Sequence, residues 1–290
     1  MLRGRLLLML LLIWCLSCVV CVAAGDEIEE TNLKVMSFNI RLGSAQDGEN
    51  AWPLRQRLVI ETIQAFGPDF LGLQEAERMQ LDKLVESLPE YAAVGVGRAA
   101  DGGGEYSSIL YRRSRFDVSQ AGTFWLSDTP SEPGSKGWGN GPPRICTWVH
   151  VFDRATNRRF YVFNTHWDHR SQPSRERGAQ LMANRIATRD AQAEPFVVMG
   201  DFNAGEDNPA RQALVAAGLR DAYRVLHPKA TGDGTFNDFQ GRTDGLKIDA
   251  VLISQHWIPL QASIDRTERD GRFPSDHFPV TATLNLKKGG

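Results

Sequence analysis

Hydrophobic positions along this chain follow two alternating rhythms. Short, almost continuous apolar runs of strand length take turns with longer stretches in which apolar residues recur every three or four positions. From Trp52-Pro53 the helical rhythm places Leu54, Leu58, Ile63 and Phe66 on one face, and Gly67-Pro68 ends it. Met79 to Leu88 repeats the pattern with Leu81, Leu84, Val85 and Leu88, and Pro89 follows. A third helix is predicted over Arg175 to Ala191, and a fourth from Pro209 to Ala217 with Gly218 as its stop. Strands are predicted near Val35–Asn39, Phe70–Glu75, Tyr91–Gly95, Ser107–Tyr111, Phe116–Phe124, Cys146–Asp153, Phe160–Thr165, Phe196–Gly200, Ala250–Ile253 and Phe278–Leu284.

Strands interleaved with amphipathic helices imply two sheets packed face to face with helices outside, a four-layer α/β/β/α sandwich of two mixed sheets. No low-complexity linker or short-period repeat divides the chain after its first residues, so residues 25–290 read as one domain. Two halves are visible, with Asn39 and Glu75 in one and Asp201, Asn203, Asp249 and His277 in the other. The Gly- and Trp-rich stretch from Ser127 to Pro143 reads as a long loop, and loops of that length tend to be functional or mobile.

The first residues do not belong to this pattern. Arg3 and Arg5 precede an apolar run from Leu6 to Val22, and Val22-Ala23-Ala24 offers small residues for cleavage. Residues 1–24 therefore read as a secretory signal peptide cleaved near Ala24, which exports the protein to the cell envelope, periplasm or medium. An uncleaved membrane anchor is the rival reading, because the run is just long enough to span a bilayer. A lipoprotein reading through Cys18 or Cys21 has Ser17 well placed but poorly fitting residues upstream.

Of the cysteines, Cys15, Cys18 and Cys21 leave with the leader, and Cys146 alone remains. The mature chain can form no internal disulfide, so roughly 265 residues of core must hold the fold. Cys146 sits in an apolar strand run and reads as a small core residue rather than a nucleophile. Loss of Arg3 and Arg5 takes the net charge from −2 to −4, which excludes a tight, non-specific nucleic-acid binder. Basic clusters at Arg112, Arg113 and Arg115 and at Arg170, Arg175 and Arg177 are either solvated faces or a rim for a phosphate substrate.

The chemistry gathers where the apolar runs stop. Val197-Val198-Met199 ends in Gly200-Asp201-Phe202-Asn203, and the other runs end in Asn39, Glu75, His166 and Asp249. Ser275-Asp276-His277 precedes the last run. A sheet edge that collects Asn, Glu, His and Asp has the makings of a metal-assisted hydrolase. Carboxylate and amide oxygens suit a hard cation such as Mg²⁺, with Mn²⁺ as the alternative. His166-Trp167-Asp168-His169 lacks a further cluster at ligand spacing, which argues against zinc.

These motifs, Ser37-Phe38-Asn39-Ile40-Arg41, Leu73-Gln74-Glu75, Asn164-Thr165-His166, Gly200-Asp201-Phe202-Asn203, Ile248-Asp249 and Ser275-Asp276-His277, occur in the order seen in the endonuclease/exonuclease/phosphatase superfamily. The chain resembles that superfamily from Leu33 to Leu284. Its members include pancreatic-type deoxyribonucleases, abasic-site endonucleases, neutral sphingomyelinases and inositol-polyphosphate phosphatases. The resemblance implies Glu75 as principal metal ligand, with Asn39 beside the metal and donating to a phosphate oxygen. It implies Asp201 as the group that orients and deprotonates water, Asn203 as holder of that water or of the phosphate, and Asp249 as the partner of His277. It leaves open whether Asp201 or His277 is the base, and whether Asp276 fixes His277 or touches the metal.

His166 matches the deoxyribonuclease and sphingomyelinase branches, where a second imidazole protonates the leaving oxygen or binds phosphate. Asp168 and His169 are supporting candidates. Phe124-Trp125-Leu126-Ser127 and Pro143-Arg144 match a pattern in some bacterial members, so Arg144 is either a phosphate contact or a loop anchor. Trp125 and Trp138 either stack on a base or headgroup or serve as packing aromatics.

The implied function is an exported, metal-dependent phosphoesterase in which water attacks a phosphodiester, nuclease-like. The alternative is a phosphatase or phospholipase/sphingomyelinase-type hydrolase of sugar, inositol or lipid phosphates. A non-catalytic binding module on the same fold is the reading from a different class, and the intact motifs oppose it. Expected partners are a phosphoester substrate, nucleic acid or a phospholipid headgroup among them, with no obligate protein partner and a monomeric state.

Overall fold

The computed structural model describes residues 31–287. The leader read over residues 1–24 lies outside the described residues. Among them, no helix is long and apolar enough to cross a membrane.

The expected strands form two six-stranded mixed sheets. The first comprises β1 (Leu33–Asn39), β2 (Phe70–Gln74), β3 (Tyr91–Val94), β4 (Ile109–Arg112), β11 (Trp257–Ile264) and β12 (Val280–Leu286), in the order β11-β12-β1-β2-β4-β3. The second comprises β5 (Phe116–Trp125), β6 (Ile145–Asp153), β7 (Arg158–His166), β8 (Phe196–Asp201), β9 (Arg220–Asp221) and β10 (Asp249–Ile253), in the order β5-β6-β7-β8-β10-β9. Between the sheets Val35, Phe70 and Ala282 of one meet Val149, Phe160, Val197, Met199 and Val251 of the other. The helices α1 (Trp52–Phe66) and α2 (Arg78–Ser87) cover the first sheet, and α3 (Gln172–Ala187) and α4 (Pro209–Ala216) cover the second. The four-layer sandwich read from the sequence is the architecture observed.

Local chemistry explains the element ends. Gly67 closes α1 in the left-handed region (φ 62°), where a side chain would be strained. Glu77 and Gln80 form a reciprocal capping box that starts α2 at Arg78. The third helix begins at Gln172, ahead of the expected Arg175, because the Ser171 hydroxyl caps it and Pro173 fits its first turn.

Chain halves and sheets do not coincide. β5 crosses to the second sheet, whereas β11 and β12 return from the second half of the chain to the first sheet. Both parallel pairs, β1 with β2 and β7 with β8, point their carboxyl ends toward one edge. At that edge the register sets Asn39 beside Gln74 and His166 beside Asp201. Asp249 opens β10 rather than ending a strand. Because β10 runs antiparallel to β8, its first residue pairs with Asp201 and reaches the same edge. The pairing of Ser37 with Val280 likewise carries the residues just before β12 past the end of β1.

Candidate active site

Asp201 is the hub of this edge. Its carboxylate Oδ2 accepts from Asn39 Nδ2 (3.0 Å) and lies 3.5 Å from His166 Nε2 and 3.9 Å from His277 Nε2. Its Oδ1 accepts from the Asn203 backbone N–H (2.9 Å), a turn that holds Asn203 at φ 47°. Glu75 (φ 60°), immediately after β2, and Arg41 (φ 57°), two residues after β1, are also left-handed. Non-glycine residues seldom adopt that conformation, and here it turns the chain sharply at each edge of the site.

Asn39 Nδ2 also donates to Glu75 Oε1 (3.1 Å), and the second Glu75 oxygen accepts from the Leu42 N–H (3.1 Å). Asn39 is wholly buried, and both its amide hydrogens are engaged by carboxylates. It therefore ties Glu75 to Asp201 and meets a phosphate only by releasing one of them. His277 Nδ1 pairs with Asp249 Oδ2 at 2.9 Å, and Thr235 Oγ1 accepts from the Ile248 and Asp249 N–H groups (both 3.0 Å). Asn203 Nδ2 donates to Trp167 O (3.0 Å), which leaves its carbonyl end to accept from a ligand.

Burial and charge set the protonation pattern. Burial pushes the Asp201 carboxyl up, the Asp249 charge adds to it, and the result is about 7. Burial alone would lower His277, but Asp249, Asp201 and Asp276 outweigh it and hold the imidazole well above its ordinary value. Burial pushes His166 well below its ordinary value, and Arg144 and Arg98 add to that. The site thus holds an acid poised near neutrality between a charged and a neutral imidazole.

These groups surround a cleft of about 540 Å³. Glu75, Arg144, His166, Asp201, Asn203, Asp276 and His277 line it; Asn39 and Asp249 stand behind the lining and act through it. Every site residue expected from the sequence is at this edge. Arg144, 3% exposed, contacts His169 Nδ1 (3.0 Å), and its Nε lies 3.6 Å from Asp168 Oδ2. The Arg144 Nε and Nη1 atoms are buried without a hydrogen-bond partner. A guanidinium at the cleft wall with unspent donors is suited to an oxyanion.

The sequence reading assigned no role to Arg41, Arg98, Glu105 or Phe236, which also line the cleft. Phe236 is not a catalytic residue type, and Arg98 and Glu105 lie in a glycine-rich stretch that reads as a turn. Conversely, Trp125 and Trp138 stay out of the cleft. Trp125 Nε1 donates to Arg98 O (2.8 Å) and Trp138 Nε1 to Asp128 Oδ1 (2.8 Å), so both are packing aromatics. The basic clusters also fall outside the lining. Arg115 is taken by Asp69 and Asp153, and Arg175 by Gln172 and the Asp168 carbonyl. Burial pushes the Cys146 thiol up, consistent with an inert core residue.

The donor chemistry fits a hard divalent cation. Glu75 and Asp276 are both carboxylates on the cleft, and burial followed by the Glu75 charge pushes Asp276 up. A cation between like charges relieves that repulsion. Asp201, Asp249 and His277 also lie close enough to share an ion. The direct Asp249–His277 hydrogen bond marks that trio as a proton-holding dyad beside an acid instead.

A mannosyl-6-phosphatase from Bacteroides thetaiotaomicron is 33% identical, with a TM-score of 0.81 over 88% of this chain and 100% of that one. Nocturnin from Rattus norvegicus is 22% identical over 278 residues, 85% of this chain; the chain spans 63% of Nocturnin's length. TDP2 from D. rerio, solved with a single-strand DNA product, shares the fold at 17% identity and a TM-score of 0.70, over 88% of this chain and 100% of that one. The Endonuclease/Exonuclease/phosphatase family model matches residues 36–277. With the fold, the site and this match in agreement, the chain belongs to the endonuclease/exonuclease/phosphatase family.

Proposed function

We propose that this protein is a metal-dependent phosphoester hydrolase whose preferred substrate is a phosphomonoester of a sugar. The observation that carries the hydrolase reading is Asp201, a carboxyl pushed up to about 7 and set between His166 and His277 on the cleft floor. A general base is most effective when its pKa lies near the working pH. The sequence ranks a nuclease-like diesterase slightly ahead of a phosphatase. The 33% likeness to a mannosyl-6-phosphatase, over that whole chain, favours the phosphatase.

In this reading Asp201 takes a proton from a water held by the Asn203 carbonyl, and the water oxygen bonds to phosphorus as the ester P–O bond breaks. His277, kept protonated by Asp249, donates to a phosphoryl oxygen, and Arg144 offers its free N–H groups to another. His166 is neutral and serves as a hydrogen-bond donor rather than an acid. The leaving alkoxide takes a proton from solvent. Glu75 and Asp276 would hold Mg²⁺, with Mn²⁺ as the alternative, and the cation would offset charge on the phosphoryl and leaving oxygens. Export through the leader belongs to the same proposal.

The test is an assay of p-nitrophenyl phosphate, bis(p-nitrophenyl) phosphate and hexose 6-phosphates with Mg²⁺ or Mn²⁺, with Glu75→Ala as control. Metal-dependent cleavage of the monoesters, lost in the control, is expected. Cleavage of the diester alone moves the reading to the nuclease or phospholipase branch.

A further inference from the structure

Arg98 and Glu105 form a bidentate ion pair, Nη1 to Oε2 at 2.6 Å and Nη2 to Oε1 at 2.5 Å, in the wall of the catalytic cleft. In the mechanism neither touches the substrate. Both side chains are mostly sunk into the wall, 17% and 15% exposed. The loop that carries them is already held by its backbone: Arg98 N–H to Glu105 O (3.0 Å), Ala99 N–H to Gly103 O (3.0 Å) and Trp125 Nε1 to Arg98 O (2.8 Å). Tyr106 N–H bonds to Ala76 O (2.7 Å), which hangs the loop directly beside Glu75. Burying two charges is costly, and a loop so tied by its backbone has little need of them as an anchor. Orienting His166 is not their task either, because Glu105 Oε2 stands 3.9 Å from His166 Nδ1, beyond hydrogen-bond reach.

Both residues line the cleft, and the pair keeps hydrogen-bonding capacity beyond its own two bonds. Arg98 uses two of its five N–H groups on Glu105, and each Glu105 oxygen keeps a lone pair. A carboxylate and a guanidinium side by side match a vicinal diol, in which one hydroxyl donates to the carboxylate and its neighbour accepts from the guanidinium. Phe236 and Leu246 give the same cleft an apolar part to its lining. We infer that the Arg98–Glu105 pair is a specificity site that reads hydroxyl groups on the leaving alcohol, so that the cleft selects polyol or sugar phosphates over phosphates of plain alcohols. The inference rests on the phosphomonoesterase reading and names the residues that set its substrate class.

Kinetics on two probes of equal carbon count test it: a hexose 6-phosphate and hexyl phosphate, with wild type and Glu105→Gln. Wild type is expected to prefer the hexose phosphate. Glu105→Gln is expected to cut the ratio of the two kcat/KM values about tenfold to a hundredfold, the value of a hydrogen bond to a charged group. Should Glu105→Gln fail to fold, Glu105→Asp retains the charge, shortens the reach and should lower the same ratio. A pair that merely braces the loop would depress both substrates together and leave the ratio unchanged, which overturns the inference. Equal wild-type rates on both probes also overturn it while leaving the phosphatase reading standing. Metal-dependent release from neither probe is instead the failure of that reading.

Discussion

Two imidazoles, His166 and His277, flank the Asp201 carboxylate, and their surroundings pull them in opposite directions. His277 has Asp249 on its Nδ1 and further carboxylates nearby, so its proton is held well above the ordinary 6.5. His166 is buried against Arg144 and Arg98 and stays neutral well below 6.5. The signs for stability differ accordingly. His277 contributes stability that is fully present below 6.5 and is lost as pH rises through its raised folded value. His166 costs stability as pH falls below 6.5, where the unfolded chain takes up a proton that the folded state refuses. Histidine NMR titration of metal-free protein should show the His277 ring protonated above 6.5 and the His166 ring neutral below it. Asp249→Asn should bring the first back down. His166 and His277 titrating together near 6.5 would contradict this electrostatic picture. At this scale the sequence was highly legible, because each motif sets a polar residue type beside an apolar strand run, where it has little other reason to be. The protonation states were not, since they depend on neighbours brought in from other strands.

The elements were read well where one rhythm dominated, and badly where polar and apolar signals conflicted. In α1 the sequence favours Leu54 for the buried face, yet Leu54 is 58% exposed and Arg55 is buried. Arg55 points inward because backbone carbonyls receive it: Asn50 O (2.8 Å), Ile40 O (2.6 Å), Arg41 O (3.0 Å) and Pro274 O (3.0 Å). It thereby fastens the chain after Asn39 to the chain before Ser275-Asp276-His277. Periodicity cannot reveal such a partner set. Arg55→Met should destabilise the fold by about 3 kcal/mol, because it strands buried carbonyls, and urea denaturation would measure the loss. A change below about 1 kcal/mol would show that water replaces the guanidinium. The strand β11 was missed for a related reason. Pro259 interrupts it, and Ile258 and Leu260 face outward, so an edge strand looks like an irregular apolar patch.

Over the whole molecule, function depends on two sheets meeting in one register, because Asn39, Glu75 and His277 come with the first sheet and His166, Asp201 and Asp249 with the second. Asn164 sets that contact. Its Oδ1 accepts from Gln74 Nε2 (2.6 Å), and its Nδ2 donates to Leu73 O (2.8 Å) and Ser108 O (2.9 Å) across the interface. Gly72 permits the approach, since a Cβ there would lie 2.7 Å from Asn164 Oδ1. Asn164→Ala removes three buried hydrogen bonds across the interface and should cost about 3 kcal/mol by denaturant titration. It should also lower kcat, because Gln74 adjoins Glu75 and Asn164 lies two residues before His166. Stability lost without any fall in kcat would mean that the site tolerates slippage between the sheets. The layered architecture was legible from alternating strand and helix rhythms, but the crossing of β5, β11 and β12 between halves was not. Strand order is decided by long-range pairing that local patterns do not encode.

Every role assigned at the cleft converges on Asp201, so its isosteric amide is the most direct test. The measurement is kcat/KM of Asp201→Asn against wild type on a phosphomonoester with Mg²⁺ at neutral pH, with circular dichroism to verify the fold. A folded variant slowed by at least about a hundredfold is the expected result, the scale of losing a single transition-state group in other enzymes. A folded variant that keeps most of its activity would contradict the assignment of Asp201 as the base, and with it the mechanism.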